Sequence, residues 1–460
     1  MNLPLDDHAA MYITASGSRV HPPCIGMIQR FSERIPAETI EAHVRDLVAN
    51  PLGVGRKVVR PAIPGARARW SPEPDVPDWA MRIESVPLSH AELAERLDEE
   101  ISEQPDPLRN HGWRYTVLPT DDGGMIIVNW VNHAFGDARS MLETVFAPRD
   151  VWSAERARPS NGESTFSRTL SPVIELSDVA QRISTGVKGS LRLGAEAAIA
   201  AARPQRRGAH LTQLSPAVEA IRRPKQQVGA LSSRRVITLA RVVHEQWRTI
   251  AGEHGGSSNT LFLTVLANLM REARRARGES LERPLRILMP IDIGPFLREA
   301  GQSVEGSTII SSVVVVDGGR AVHGDISDVR AASKTAIETA VAQIPKTRST
   351  RPPGIVDAMH LLPNAITHRL ATRVQANVDG VASNVGPLPE YVGRIGSHLA
   401  TDNFLVATPM RTDLTACFGR QGETSTLSFV ADPARLGPAG TLDERVAAEF
   451  GAWGISAEIW

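Results

Sequence analysis

Two runs rich in β-branched residues, Met125–Val131 and Thr308–Val316, stand about 180 residues apart, each embedded among helical patterns. With 460 residues the chain also exceeds what one packed core usually holds. The pattern therefore predicts two α/β lobes of roughly 150 to 250 residues, each with its own sheet.

Further signals fill in both halves. Arg114–Leu118 leads into Met125–Val131 through Pro119-Thr-Asp-Asp-Gly-Gly124, good turn chemistry for a hairpin. Arg235–Leu239 and Arg286–Ile293 add strands to the second half. Helical periodicity runs through Pro36–Ala49, Ser89–Glu103, Arg139–Val145, Asn259–Arg277 and Ser327–Gln343. In the Asn259 segment, Leu261, Leu263, Val265, Leu266, Leu269 and Met270 make a broad apolar face. That predicts a buried helix with a basic, exposed end at Arg271–Arg277.

Between the halves, Val151–Arg234 holds an Ala-rich helical stretch, Gly194–Arg203, flanked by the basic runs Arg203-Pro-Gln-Arg-Arg207 and Arg222-Arg-Pro-Lys225. These read as solvated connector surface, with anion binding the alternative. The expected division is an N-terminal lobe at 1–180, a linker with a helix at 181–234 and a C-terminal lobe at 235–460.

Charge excludes one class of partner. Lys plus Arg (51) equals Asp plus Glu (51), with lysine only at 57, 188, 225, 334 and 346, so no overall field favours a nucleic acid. Cys24 and Cys417, the two cysteines, support neither a disulfide framework nor a Cys-based zinc site, which fits a reducing compartment. The N-terminus lacks a basic region followed by an apolar core. The longest apolar run, near Ile309–Val316, is under half a bilayer span. A cytoplasmic location is expected, with peripheral membrane contact open.

Familiar catalytic signatures fail on spacing. The chain has no phosphate-binding Gly-x-x-x-x-Gly-Lys-Ser/Thr loop, no Gly-x-Gly-x-x-Gly after a strand, no Gly-x-Ser-x-Gly elbow and no His-Glu-x-x-His. His244-Glu245 starts the last of these but lacks the second histidine. No metal and no tightly held cofactor is implied.

What remains is His133-Ala-Phe-Gly-Asp137. A bare His-x-x-x-Asp spacing arises by chance less than once in such a chain, and it occurs here twice, at His133 and at His398. Context separates the two. His133 directly follows the strand Met125–Val131 and leads through Gly136 into a helical stretch, so its imidazole should project from a strand end into a cleft. A histidine near its ordinary pKa can act as general base at neutral pH, taking a proton from a hydroxyl or amine that attacks an activated carbonyl. Asp137 could fix the loop by hydrogen bonding. The alternative is a structural histidine in a turn.

The segment Asn132-His-Ala-Phe-Gly-Asp-Ala138 resembles the His-His-x-x-x-Asp-Gly signature of the CoA-dependent acyltransferase superfamily. That group includes condensation domains of nonribosomal peptide synthesis, polyketide-associated acyltransferases and wax ester synthase/diacylglycerol acyltransferases. Other pieces resemble the wax-synthase branch in the same order: Pro4-Leu5-Asp6 with Ala9, Met11 and Tyr12; Pro107-Leu108 with Trp113; Met289-Pro-Ile-Asp292 with the strand after it; and Ser383-Asn-Val-Gly-Pro387.

The resemblance implies an α/β (α+β) fold of two chloramphenicol-acetyltransferase-like lobes, each a mixed sheet flanked by helices, in a V with a central tunnel. It implies acyl transfer from a thioester, acyl-CoA or an acyl carrier protein, to a small-molecule alcohol or amine in lipid or secondary-metabolite biosynthesis. By position His133 would be the general base, Asp137 the partner orienting its loop, and Gly136 the small residue that lets substrate approach. Ser383 and Asn384 would contact the oxyanion or acceptor, or else mark a simple turn. Four departures stand out: Asn132 replaces the first histidine and Ala138 the glycine. Gly294 stands where an arginine commonly pairs with the motif aspartate, leaving Arg286 or Arg298 as candidates. Ala416-Cys-Phe-Gly-Arg-Gln-Gly422 replaces the latch of condensation domains. They motivate the alternative of a degenerate or repurposed protein that binds a thioester intermediate or performs another reaction such as cyclisation.

Overall fold

The computed structural model describes residues 3–5, 9–10, 12–13, 23–50, 53–63, 66–73, 75–109, 112–147, 175–180, 183–184, 234–299, 309–319, 321–342, 378–408, 412–438 and 440–460. The expected helix at Gly194–Arg203 and both basic runs of the connector lie outside these residues, as does the linker 181–234 apart from 183–184 and 234.

The first half runs through Leu3–Pro4 (β1), Cys24–Phe31 (β2), Ala37–Ala49 (α1), Arg56–Val59 (β3), Arg69–Pro72 (β4), Met81–Ile83 (β5), His90–Ser102 (α2), Trp113–Pro119 (β6), Met125–Asn132 (β7) and Ala138–Thr144 (α3). β6 and β7 form the expected hairpin, with Trp113 opposite Val131 and Pro119 opposite Met125. Asp122 builds the turn, its Oδ1 accepting from Thr120 Oγ1 (2.6 Å) and from the Gly124 N–H (3.0 Å). Helix α2 starts at a capping box made by Ser89 and Glu92.

The second half continues with Val236–Val243 (β8), His244–Glu253 (α4), Ser258–Ala276 (α5), Leu285–Asp292 (β9), Gly294–Glu299 (α6), Ile309–Val316 (β10), Ser327–Ala342 (α7) and Gly380–Pro387 (β11). It ends with Arg394–Ile395 (β12), His398–Leu399 (β13), Asp402–Ala407 (β14), Leu414–Gln421 (β15), Thr424–Ala431 (β16), Pro433–Leu436 (α8), Leu442–Ala452 (α9) and Ala457–Ile459 (β17).

Two mixed sheets result. One has five strands in the order β14-β2-β7-β6-β5, antiparallel except for the parallel pair β5 and β6. The other has seven in the order β10-β9-β11-β15-β16-β8-β17, with β11 parallel to both its neighbours. Because β14 comes from the second half and completes the first sheet, no single cut in the chain separates the sheets.

Helix α5 fills the second lobe beneath its sheet, with Leu261, Leu263, Val265 and Leu266 fully buried. Its expected exposed basic end is corrected by the structure: Arg271 and Arg274 are buried. Arg274 pairs with Asp379 at 2.7 Å, and Arg271 donates from Nε to the carbonyl of Asp317 (3.1 Å). The helix is covered on its polar side as well, so these guanidiniums are matched by charge and carbonyls instead of water.

A separate apolar cluster joins the lobes. Ile28, Ile126, Val128 and Trp130 of the first sheet meet Leu93, Leu97 and Ile101 of α2, with Ile237, Leu239 and Val430 from the second. Polar ties reinforce it: Ser428 Oγ donates to the Leu405 carbonyl (2.6 Å) and Thr426 Oγ1 to that of Asn403 (2.7 Å). Among the described residues no helix is long and apolar enough to cross a membrane.

Asp98 on α2 accepts from the Ile237 N–H (2.9 Å) across this junction, and burial pushes its pKa up to about 6. The folded protein thus holds that proton more tightly than the unfolded chain. The associated stability is complete below the ordinary carboxylate value and is lost as pH rises toward about 6. Asp98→Asn keeps an acceptor for Ile237 and removes the titration. Its urea midpoint should gain on wild type as the pH is raised from about 4 to about 7; a pH-independent difference would contradict the assignment.

Candidate active site

The ladder of β7 stops at Asn132, which turns its side chain back to the main chain. Its Oδ1 accepts from the Ala134 N–H (3.0 Å) and its Nδ2 donates to the Pro105 carbonyl (3.4 Å). The Asn132 N–H donates to the Gly112 carbonyl (2.7 Å), the His133 N–H to that of Pro23 (2.8 Å) and the Gly136 N–H to that of His133 (3.3 Å). A single 3₁₀ turn, His133–Phe135, results, bonded to three neighbouring segments. Asn132, where the acyltransferase signature has a histidine, here caps this turn.

His133 is half-buried at the strand end, and the ring of Tyr12 stacks on it with centroids 4.1 Å apart and planes within 10°. Tyr12 belongs to the opening segment on which the resemblance partly rested; Asp6 and Met11 of that segment lie outside the described residues. Asp137 is 4% exposed and caps α3, its Oδ1 accepting from the Ser140 N–H (2.8 Å) and Ser140 Oγ (2.9 Å). Gly136 is extended at φ 161, and a Cβ there would stand 2.7 Å from Ser140 Oγ. Its smallness lets the chain pass close to the capped first turn of α3. His133, Gly136 and Asp137 thus share one rigid turn.

Phe135 wedges this turn into the lobe. A Cβ at Gly112 would come within 2.2 Å of its ring, and Trp70 lies against it at a centroid distance of 4.7 Å. The Arg56 guanidinium sits 4.3 Å from the Trp70 centroid and donates from Nη2 to the Phe135 carbonyl (2.9 Å). Arg56 and Trp70 carried no motif in the sequence; their role arises from the small sheet of β1, β4 and β3 docking beside β7.

Ser383 and Asn384 lie on β11, opposite Cys417 and Phe418, so the run up to Pro387 is strand and not a simple turn. A bulge between Asn384 and Gly386 is accommodated by Gly386 at φ 69. Asn384 donates from Nδ2 to Asn259 Oδ1 (3.0 Å) and accepts from the Gly386 N–H (2.9 Å). Beyond β11, Leu388 and Val392 pack in the same cluster as Phe135, Met141 and Leu142, with Val385 against it. The second lobe is thereby brought onto the helix that follows His133.

The backbone N–H of Arg286 donates to Asp379 Oδ2 (2.8 Å), and the side chain of Arg298 lies outside the described residues. Asp292, at the end of β9, forms an ion pair with an arginine of the first lobe, Arg139, at 3.4 Å. The second His-x-x-x-Asp behaves differently: His398 Nδ1 meets Glu33 Oε1 at 2.7 Å on a surface hairpin, and Asp402 pairs with Arg241 at 2.9 Å. Cys24 and Cys417 are fully buried, and burial pushes both thiols up, Cys417 to about 12. Neither offers a thiolate nucleophile at neutral pH. Among the described residues no group of three or more His, Cys, Asp and Glu is placed to hold a metal.

No protein-family model and no curated protein matches the chain in sequence. In structure it is similar to the wax ester synthase/diacylglycerol acyltransferase from Marinobacter aquaeolei VT8, with a TM-score of 0.58 and 13% identity over 98% of each chain. It is similar to the TRI3 trichothecene 15-O-acetyltransferase from Fusarium sporotrichioides, with a TM-score of 0.57 and 11% identity over 98% of this chain and 93% of that one. The F. sporotrichioides TRI101 protein, solved with coenzyme A and T-2, matches at a TM-score of 0.55 and 10% identity over 100% of this chain and 99% of that one. The two-lobed fold expected from the sequence resemblance is therefore present.

Asn132 is fully buried, and its side chain holds two partners that would be left unsatisfied in Asn132→Ala. The variant should lose about 1–3 kcal/mol in urea unfolding; an unchanged midpoint would show that the turn holds without its cap.

Proposed function

We propose that a chain with this fold transfers an acyl group from a thioester, on CoA or an acyl carrier protein, to an alcohol or amine. The observation that carries the reading is the half-buried imidazole of His133 on a rigid turn at a strand end, with Asp137 capping the following helix and the second lobe packed alongside.

In this reading donor and acceptor approach through a passage between the lobes. His133 takes the proton of the acceptor hydroxyl or amine as its oxygen or nitrogen bonds to the thioester carbonyl carbon. The carbonyl π electrons move to oxygen, with Ser383 and Asn384 as the second-lobe donors toward that oxyanion or toward the acceptor. Collapse breaks the C–S bond, and the imidazolium returns its proton to the departing thiolate, so the histidine ends as it began. Attack is direct, so no covalent acyl-enzyme forms and no nucleophilic side chain is required. Tyr12 would hold the ring plane while the ring shuttles the proton.

The small-molecule acceptor belongs to lipid or secondary-metabolite chemistry, the protein acts in the cytoplasm, and a lipid acceptor would add peripheral membrane contact. The acceptor class rests on the family resemblance and on the kind of proteins that share the fold, and the location on the two unpaired cysteines that fit a reducing compartment.

Purified protein incubated with a panel of acyl-CoA thioesters and candidate alcohols or amines should release free thiol, read with a thiol reagent. His133→Ala should lower that rate by about 10²- to 10⁴-fold while its urea midpoint stays near wild type. Full activity in His133→Ala would overturn the assignment. Silence of the wild type with every donor, together with measurable thioester binding, would favour the binding or repurposed protein that the altered flanks Asn132, Ala138 and Gly294 suggest.

A further inference from the structure

Helix α3 grows directly out of the His133 turn, capped by Asp137, and the second lobe grips it at two points. At its first turn Arg139 Nη1 meets Asp292 Oδ2 at 3.4 Å, at the end of β9. Near its last turn the Leu142 carbonyl accepts from Tyr391 Oη at 3.2 Å, from the loop that follows β11.

Both grips are pre-arranged on the second-lobe side. Asp292 Oδ1 accepts from the Gly294 N–H (2.8 Å), which fixes the carboxylate plane and turns the other oxygen toward Arg139. Tyr391 packs against the apolar cluster that holds Phe135, Met141 and Leu142. Arg139 is also steadied by Glu143, one turn on, at 3.6 Å.

The strands that supply these contacts fork away from each other. β9 and β11 are paired only at Gly380 with Ile287 and at Val381 with Leu288; beyond that, β9 stays with β10 and β11 with β15. The two arms end at Asp292 and Pro387, and each arm reaches α3 by one of the two grips.

We propose that Arg139 and Tyr391 are positioning residues that tie the conformation of the His133 turn to the placement of the second lobe. When the forked arms sit on α3, the helix holds Asp137 and the turn in the bonded arrangement. When the lobes part, the Arg139–Asp292 and Tyr391–Leu142 contacts break together and the turn loosens. The inference rests on the acyl-transfer reading only for its catalytic consequence; the mechanical coupling stands without it.

The test is a charge swap read by amide hydrogen exchange. Arg139→Glu places like charges together, and exchange at the amides of residues 133–145 should quicken by roughly fivefold, the scale of a partly exposed ion pair. Adding Asp292→Arg restores an opposite pair of reversed sign, and the double variant should recover part of the increase, short of the wild-type rate because Glu143 still faces a like charge and the Gly294 N–H loses its acceptor. Tyr391→Phe should quicken the same amides with the charges untouched. If exchange at 133–145 is unchanged in Arg139→Glu and Tyr391→Phe, or if the double variant exchanges as fast as Arg139→Glu, the coupling is overturned.

In the thiol-release assay, Arg139→Glu should lower kcat more than it raises KM, with partial recovery in the double variant. A wild type without transfer activity would sink the acyl-transfer reading while leaving the exchange result to decide this one.

Discussion

The pairing of β2 with β7 is the constraint on which the remaining structure rests. Cys24 lies opposite Asn132 and Phe31 opposite Met125, with no slip between. Every residue of β7 is buried because each of its faces meets a core. Met125, Ile127 and Val131 point into the first-lobe cluster, and Ile126, Val128 and Trp130 into the cluster between the lobes. A one-residue slip would exchange these sets. It would press Trp130 against the wrong layer, undo its seat over Gly26, where a Cβ would lie 2.3 Å from the indole, and move His133 off the strand end. The register that builds the inter-lobe core is thus the register that places the imidazole.

Much of this was legible in the chain, and the parts that were not share a physical cause. The hairpin into β7 and the buried helix α5 follow from β-branched runs, turn residues and periodicity, all local properties. Context also separated His133 from His398, since only one follows a buried strand. Missed or misjudged features depend on what the fold brings from afar. Arg271 and Arg274 read as a solvated end because nothing nearby in sequence announces Asp379 or the Asp317 carbonyl. Ser383–Pro387 could pass for a turn because Asn and Gly favour turns, yet the strand accommodates both through a bulge. Arg56 and Trp70 are invisible without the docking of a small sheet. The strand Asp402–Ala407, which the sequence reading did not single out, is likewise a long-range fact, since its partner β2 lies in the other half of the chain.

The arginine-rich composition gains a meaning from these contacts. Glu100 is fully buried on α2 and forms ion pairs with Arg96 at 2.6 Å and Arg114 at 2.7 Å, while Arg274 is buried against Asp379. A guanidinium presents several donors in a fixed plane and remains charged when enclosed, which suits it to such sites better than an ammonium. A buried pair of this kind is weak evidence for stability, since desolvation offsets much of the attraction, while removal of one partner would leave the other charge uncompensated.

Fold and chemistry separate at this level of likeness. Identities of 10–13% at TM-scores of 0.55–0.58 say that one overall fold can be written in very different residues. The chemistry of this chain lies in the turn at His133 if acyl transfer is the activity, as proposed. There Asn132 stands in place of a histidine yet supplies the side-chain acceptor that closes the turn, because an amide oxygen two residues back from the Ala134 N–H has the reach to do so. The substitution changes how the loop is held without touching the imidazole. In the proposed role of general base the ring would need to be fixed before a substrate arrives, since any reorganisation adds to the barrier. Stacking by Tyr12, the wedge at Phe135 and the cap at Asp137 constrain the ring's plane, the turn beneath it and the helix beyond it in turn. Of the departures from the family signature, Asn132 falls on the hydrogen bonding that closes the turn and leaves the imidazole of His133 in place, so acyl transfer with that ring as the base remains the reading proposed.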